Sequence, residues 1–337
     1  FTDMSSALGA VLLEKYIVDE LLGGKVSHCW GHHYSDPQTR LAFHTALTSA
    51  SRAPGTMIYG NTVAYRGNAI ENYASMASYL LTDIVGQHLA PSGHAINPVP
   101  VTENERIPDI DEVIEAQLFA AKLKDHAGDH VALVDQDSIA ETAMKITIGG
   151  QKFFDNVLTG LGAAGVDITD AFELLLAVRR IGGKQLEQWF GAGDLDETAP
   201  RGRTAIVEAS LVGELVALAS AHMNRVSDSD RERFGKLKPK VIIATSDVHE
   251  HGKLALEQVM HKLGATVIDG GVSVDGEDLA RSARIAGADA VLVSTYNGIA
   301  LDYFRNLKNE LDRTDPAIPV LIGGRLNQIP PGSNTSL

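Results

Sequence analysis

Little cysteine, no long apolar run and a shortage of basic residues are the first features of this sequence, and each excludes a class of protein. Cys29 is the only cysteine among 337 residues, so no internal disulfide can form, which is typical of a reducing compartment. The longest apolar runs, such as residues 241–244 and 290–293, are far shorter than the ~20 residues that span a bilayer. Because 29 Lys and Arg face 43 Asp and Glu, the net charge of −14 argues against a nucleic-acid partner.

The residues that are present are typical of a folded, soluble protein. Hydrophobic residues make up 44% of the chain and charged residues 21%, which is more apolar than disordered chains are. No basic and then apolar leader opens the sequence, and the length is that of two or three domains of roughly 100–200 residues. We therefore expect a cytoplasmic α/β protein that has no membrane partner.

The first of three predicted segments covers residues 1–110. Strand-like and helical patterns alternate there, and polar loops follow the strands, the last of them over residues 91–100. Such alternation implies parallel pairing, and loops after the strands carry the chemistry of α/β barrels. Roughly three βα units are visible, so this segment is predicted to be the C-terminal part of a (β/α)8-type barrel.

The other two segments are a helical linker region, 111–238, and a second α/β domain, 239–337. Long helical patterns dominate the linker region; one covers residues 203–224, and a polar connection over 227–240 follows it. Buried strands and helices then alternate, which predicts a doubly wound, Rossmann-like parallel sheet whose ligands lie at the carboxyl ends of its strands. Because the pattern stops soon after a fourth strand, we expect this domain to be truncated.

The clearest candidate site follows the first strand of that second sheet. Asp247 precedes His249 by two residues, and Gly252 comes three residues later. The carboxylate could accept a hydrogen bond from one ring nitrogen of the histidine, which fixes the tautomer and prepares the other nitrogen as a metal ligand. Gly252 would let the loop approach a bulky ligand closely. Without further motifs, a histidine in a surface loop would be the simpler interpretation.

Two further clusters follow later strands of the same sheet. Ser294 and Tyr296 come after the third strand, and the pair Gly323 and Gly324 comes after the fourth. These three clusters, in this order, resemble the cobalamin-binding domain of corrinoid enzymes in which a protein histidine replaces the dimethylbenzimidazole base. The resemblance implies that His249 is the lower axial ligand of cobalt. Neither a dinucleotide fingerprint nor a phosphate-binding loop is present.

The same resemblance assigns roles to the other members of these clusters. Asp247 is implied to be the hydrogen-bond partner of the ligating histidine. Ser294, Gly323 and Gly324 are implied to line the slot for the displaced dimethylbenzimidazole tail. Tyr296 stands where the family usually has leucine.

The upstream segment resembles the last part of the barrel subunit of glutamate (methylaspartate) mutase. The matching stretches are residues 29–33, 59–72 and 91–103. By this resemblance Glu103 is the carboxylate that contacts the adenosyl ribose, although Thr102 stands where the family has lysine. Arg66 and Arg106 are candidate clamps for a substrate carboxylate, because their planar forks match its geometry, although surface salt bridges are the commoner role of such arginines.

Together these resemblances imply an adenosylcobalamin-dependent carbon-skeleton mutase, an isomerase that catalyses a radical 1,2-rearrangement of a small acid. A corrinoid methyltransferase module using methylcobalamin remains an alternative, as does a non-catalytic cobalamin carrier or sensor. An open piece of a barrel would expose a sheet edge, so we also expect a homo-oligomer or a second subunit that completes the barrel.

Overall fold

The computed structural model describes residues 1–31, 36–65, 67–103, 106–197, 199, 201–247, 249–296, 299–313, 318–324, 326, 328 and 332. Contacts within the chain divide it into two compact units, Phe1–Val212 and Gly213–Leu337. Most of the predicted helical linker region therefore packs within the N-terminal unit. Among the described residues, no helix combines the length and apolar character that crossing a membrane requires.

The N-terminal unit contains three short strands and six helices that lie wholly within it, counted over its described residues. The strands are β1 (Cys29–Trp30), β2 (Met57–Tyr59) and β3 (Ala95–Asn97). The helices are α1 (Met4–Lys15), which continues as a π-helical turn over Tyr16–Leu21, α2 (Pro37–Ala50), α3 (Ala69–Leu89), α4 (Ile110–His130), α5 (Gln136–Ala163) and α6 (Ala171–Phe190).

The three strands form a parallel sheet in the order β1-β2-β3. One face carries Trp30, Ile58 and Ile96, and the indole of Trp30 packs 5.2 Å from the ring of Phe43 in α2. The side chains of the opposite face are exposed or half-buried; they are Cys29, Met57, Tyr59, Ala95 and Asn97. Parallel sheets are normally covered on both faces, so this sheet has one face that the described chain leaves accessible.

Strand β3 lies inside the segment 91–100, which was predicted to be a loop. That prediction was wrong because the strand has only three residues, Ala95–Asn97, and lacks the run of β-branched residues that marks longer strands. Pairing with β2 places these residues in the sheet, and pairing is a tertiary effect that a local pattern does not contain.

Helices α1 and α5 approach each other closely, and this contact packs the predicted helical region against the beginning of the chain. A Cβ added to Gly9 would lie 2.5 Å from the ring of Phe153, and one added to Gly150 would lie 3.2 Å from the Gly9 nitrogen. These glycines allow the two backbones to come nearer than larger residues would permit. The apolar cluster around this crossing consists of Leu13, Ile17, Phe153, Val157, Leu161, Leu174 and Leu186.

A buried ion pair connects the carboxyl ends of β1 and β2 to α3. Arg40, only 1% exposed, donates from Nε and Nη2 to the two carboxylate oxygens of Asp83 at 2.6 and 2.7 Å. Nη1 donates to the Gly31 carbonyl oxygen at 2.6 Å, and Nη2 also donates to the Tyr59 carbonyl oxygen at 2.9 Å. The guanidinium thus fixes the points at which the chain leaves both strands.

A buried histidine in α2 makes the stability of this unit dependent on pH. Burial is the main cause that lowers the pKa of His44 from its ordinary 6.5 to about 4; the neighbouring His94 and Arg40 act in the same direction, and a hydrogen bond to the Ala90 carbonyl opposes them. The unfolded chain therefore binds a proton that the folded chain does not. We expect the contribution of His44 to leave the free energy of unfolding undiminished above pH 6.5 and to lower it by about 3 kcal/mol as the pH drops to 4.

Urea unfolding followed by tryptophan fluorescence tests this expectation, because both tryptophans of the chain, Trp30 and Trp189, lie in the N-terminal unit. His44→Gln should flatten the decrease in stability between pH 7 and pH 4.5. The matched control is His88→Gln, which changes an exposed histidine of α3. An unchanged pH dependence in His44→Gln would contradict the prediction.

The C-terminal unit contains a four-stranded parallel sheet in the order β5-β4-β6-β7. Helix α7 (Ser210–Met223) crosses the boundary between the units. The other elements are α8 (Asp228–Leu237), β4 (Lys240–Thr245), α9 (His251–Lys262), β5 (Thr266–Gly271), α10 (Gly276–Ala286), β6 (Ala290–Thr295), α11 (Ala300–Asp312) and β7 (Val320–Gly324). This confirms the predicted doubly wound parallel sheet.

Alternating residues of the central strand bury the two faces of this sheet against different helices. Ile242 and Ala244 belong to the cluster formed with α10 and α11, whereas Val241 and Ile243 belong to the cluster formed with α8 and α9. A near-continuous apolar strand is expected where both faces are covered. The sheet is therefore a rigid platform for the loops at its carboxyl edge.

Two predictions about the residues before this sheet were wrong. The segment 227–240 was predicted to be a linker, but Asp228–Leu237 is helical, with Ser227 accepting a hydrogen bond from the Asp230 N–H as its N-cap. The helix predicted from residue 203 begins only at Ser210, because Arg203 instead bridges to Leu195 in an extended conformation.

Candidate functional site

The site lies at the carboxyl edge of the C-terminal sheet, at the point where the next strand along the chain is added on the other side of β4. From β4 the chain passes to β5 on one side and then to β6 on the other. Asp247 follows β4 and Tyr296 follows β6. A crevice between two such strands is where ligands bind in open parallel sheets.

Asp247 is a buried carboxylate that connects the loops after β4 and β6. Its Oδ2 accepts a hydrogen bond from the Tyr296 backbone N–H at 2.6 Å, and its Oδ1 accepts from the backbone N–H of His249 at 2.8 Å. Burial by itself would raise the pKa of Asp247, but these hydrogen bonds and the histidine lower it below its ordinary 3.8. The carboxylate is therefore charged throughout the neutral range.

The same carboxylate orients the imidazole of His249. The distance between Nδ1 and Asp247 Oδ1 is 2.8 Å, and because the carboxylate can only accept, Nδ1 is the protonated nitrogen and Nε2 is the one that can bind a metal in the neutral tautomer. No described residue hydrogen-bonds to Nε2, and the side chain is 44% exposed. The ring of Tyr296 packs on the imidazole with 4.5 Å between centroids. An imidazole whose one nitrogen is held by a carboxylate could bind a metal ion through the other.

Two small residues, Gly252 and Ser294, meet at the sheet edge beside the loop that carries this histidine. A Cβ added to Gly252 would collide with the Ser294 hydroxyl, so the start of α9 sits directly against β6. Ser294 of β6 is paired with Gly323 of the neighbouring strand β7. A Cβ added to Gly323 would meet no atom within 4 Å, so the space beside this residue is open.

Gly324 has a different reason to be glycine. Its φ of 112° is a conformation that residues with a side chain rarely adopt, and a Cβ there would collide with the Thr295 carbonyl. The end of β7 can therefore lie close to β6 only with glycine at this position. The site residues predicted around β4, β6 and β7 thus lie along one sheet edge.

The arrangement fits the corrinoid cofactor that the sequence suggests. The donor set offers one imidazole nitrogen, supported by a charged acceptor, which suits a metal already held by a macrocycle. The open space beside Gly323 is one that a larger residue would fill. His249 would supply a nitrogen ligand to the metal, and Ser294 with the glycines of β7 would border the cofactor.

The predicted catalytic residues belong to the N-terminal unit and are described there only in part. Glu103 follows β3 in the turn closed by its N–H and the Pro100 carbonyl, at 3.0 Å. Burial raises the pKa of Tyr59, and the negative charge of Glu103 raises it further. Arg66 lies outside the described residues.

Arg106 does not join this group. Its guanidinium is 53% exposed and pairs with Glu112 at 2.7 Å, at the beginning of α4. To act as a clamp for a substrate carboxylate, Arg106 would have to leave its ion pair with Glu112. Its position is that of a surface salt bridge, which contributes little to stability.

Sequence reasoning missed a buried ionic cluster next to the histidine loop. Lys253 is 3% exposed, and its Nζ lies 2.9 Å from Glu257 and 2.8 Å from Asp269. Burial would lower the pKa of this lysine, but the two carboxylates raise it above its ordinary value. The spacing of Lys253 and Glu257, one helical turn apart, was the available signal; the contribution of Asp269 from β5 was not visible.

Comparisons with known proteins match this part of the chain. A B12 binding domain family model matches residues 238–332. The glutamate mutase sigma subunit 1 of Haloarcula marismortui is 34% identical over 95 residues, which are 27% of this chain and 63% of that subunit. The chain therefore covers less than two thirds of the length of this relative. These similarities support a cobalamin cofactor and a cobalamin-dependent function.

Proposed function

We propose that the C-terminal unit binds cobalamin with His249 as the lower cobalt ligand, and that the chain is part of an adenosylcobalamin-dependent carbon-skeleton mutase. The observation that carries the proposal is the pair of Asp247 and His249, whose Nδ1–H···Oδ1 hydrogen bond of 2.8 Å leaves Nε2 for a metal. The B12 binding domain match over residues 238–332 supports it. The relative named a glutamate mutase subunit supports the reaction class.

The residues of the C-terminal unit would bind and orient the cofactor. Asp247 keeps the imidazole in the Nδ1-protonated tautomer, and its link to Tyr296 fixes the loop after β6 relative to the loop after β4. Gly252 allows α9 to begin against Ser294. Adenosylcobalamin, when bound, would supply the homolytic chemistry for a 1,2-rearrangement, and the protein would supply binding, orientation and exclusion of side reactions.

The N-terminal unit would hold the reacting groups. Glu103, at the carboxyl end of the three-stranded sheet, is proposed to accept hydrogen bonds from the hydroxyls of the adenosyl ribose. Arg66 is proposed to bind a carboxylate of a small acid substrate, because a guanidinium matches a carboxylate with two parallel hydrogen bonds. The carboxyl ends of parallel strands are where barrel enzymes place such residues, and a barrel is what we propose for this unit when complete.

Cofactor preference tests the reaction class. The complete enzyme should need adenosylcobalamin, and addition of the acid substrate should produce a radical signal in the EPR spectrum. Methylcobalamin serves as the control, since it should bind through the same histidine without supporting turnover. Methyl transfer to a thiol or to tetrahydrofolate, with no radical signal, would show a methyltransferase instead. Binding of cobalamin with neither activity would indicate a carrier or sensor.

A partner is proposed for the accessible face of the three-stranded sheet. That face presents Met57 and Tyr59 on β2, whereas the other face is buried against helices. Strands from a second copy or from another subunit, paired with the edges of this sheet, would close a barrel around that face. Light scattering on the purified chain, alone and with candidate subunits, should show an assembly larger than the 36.0 kDa monomer. A monomer with full mutase activity would contradict this proposal.

A further inference from the structure

The carboxyl end of β2 holds a polar side chain that no described residue satisfies. Asn61 is 2% exposed, and neither its Nδ2 nor its Oδ1 has a hydrogen-bond partner. Native proteins leave few buried amides in this state, because the unpaired donor and acceptor lose their hydrogen bonds to water. An amide kept unpaired at the edge of a parallel sheet is therefore expected to serve a ligand.

The backbone that carries this amide is held rigidly. The Thr62 N–H donates to the Gly60 carbonyl at 3.0 Å, and Asn61 has φ −78° and ψ 77°, the geometry of an inverse γ-turn. A Cβ on Gly60 would lie 2.5 Å from the Tyr79 hydroxyl, so the turn rests directly on α3. The Tyr79 hydroxyl is in turn 2.8 Å from that of Tyr65. The amide is thus preorganised for one orientation of its ligand.

The groups around this turn favour an uncharged ligand that carries hydroxyls. The segment that leads to Glu103 packs on the same tyrosines as this turn. The Val99 N–H donates to the Tyr79 hydroxyl at 3.3 Å, and the Val99 carbonyl accepts from the Tyr65 hydroxyl at 2.9 Å. The Thr102 hydroxyl is buried and has no partner among the described residues. A nearby carboxylate repels a dicarboxylic acid but accepts hydrogen bonds from a diol. An amide, a hydroxyl and a carboxylate together suit a nucleoside.

We propose that Asn61 recognises the adenine of an adenosyl group, with Nδ2 donating to N7 and Oδ1 accepting from the N6 amino group. This is the pair of hydrogen bonds that asparagine makes with adenine. The inference rests on the proposed use of the adenosyl form of the cofactor. It adds a residue that selects the base, whereas Glu103 would contact only the sugar.

Isothermal titration of the full chain with two free nucleosides tests the assignment. The probes are 5′-deoxyadenosine and 5′-deoxyinosine, which differ in that inosine replaces the N6 donor with an acceptor oxygen. One bidentate contact discriminates between bases by roughly 5- to 150-fold in affinity. We expect the wild-type chain to prefer 5′-deoxyadenosine within this range.

A variant assigns that preference to the residue. Asn61→Leu, of similar size but without polar atoms, should bind both nucleosides with equal affinity. Asn306→Leu is the matched control, since Asn306 is exposed on α11 in the other unit. It should keep the wild-type preference. If Asn61→Leu does not fold, the wild-type comparison of the two nucleosides still decides the question.

Separate outcomes distinguish this inference from the proposed function. Cobalamin binding is followed independently by the visible spectrum of the same protein. If the chain binds cobalamin but binds neither nucleoside, or binds both equally, the adenine assignment is overturned and the amide holds an internal water only. Binding of L-glutamate that depends on Asn61, without nucleoside preference, would overturn it as well. A preference for one nucleoside without cobalamin binding would instead overturn the proposal that the chain binds cobalamin.

Discussion

Replacing His249 with alanine is expected to weaken cobalamin binding about 100-fold or more and to remove the protein nitrogen from the lower face of cobalt. Loss of a residue that merely supports a metal ligand costs roughly 10- to 100-fold, so loss of the ligand should lie at or beyond the upper end. The measurement is EPR of the Co(II) form with ¹⁵N-labelled histidine. In the wild-type protein the label should change the axial nitrogen splitting from a triplet to a doublet.

The control for this prediction lies on the same helix. His261 is exposed near the end of α9, far along the helix from the carboxyl edge of the sheet, so His261→Ala should keep both the affinity and the splitting. A wild-type spectrum that the label does not alter would show that no histidine binds cobalt. Retained label-dependent splitting in His249→Ala would assign the ligand to another histidine.

The largest loss of stability is expected at Arg40. Arg40→Met leaves the carboxylate of Asp83 buried without its cation, and breaking a buried ion pair from one side costs about 3–5 kcal/mol. It also removes the donors to the carbonyls of Gly31 and Tyr59, which hold the ends of β1 and β2. Urea unfolding followed by tryptophan fluorescence should show this loss in the N-terminal unit.

A double variant separates the ion pair from other effects of the substitution. Arg40→Met with Asp83→Leu should recover about 2 kcal/mol or more, because replacing both charges with apolar groups is often neutral or stabilising. The recovery remains partial, since the two backbone carbonyls stay without donors. Arg179→Met, at an exposed position of α6, should change little. A single variant as stable as the wild type would disprove the role of this pair.

The C-terminal half of the chain was predictable because its signals are local and ordered. Each buried strand is a short apolar run, and the residues after β4, β6 and β7 must fall on one edge once the strands are parallel. Asp247 and His249 are two residues apart, so their contact needs only the local loop. The short strand β3 and the helix Asp228–Leu237 escaped prediction because their local patterns resemble those of loops.

The sequence by itself determined the parallel C-terminal sheet and the histidine at its edge, since strand alternation and chain order suffice for both. Only the tertiary structure decided which distant groups support the site. Tyr296 is 49 positions from Asp247 and reaches it through a backbone N–H, a group that every residue but proline has. The burial of Arg40 and the unpaired amide of Asn61 are likewise invisible in the sequence. Whether a side chain is buried and which groups it hydrogen-bonds depend on what packs around it, and that is set by residues far away along the chain.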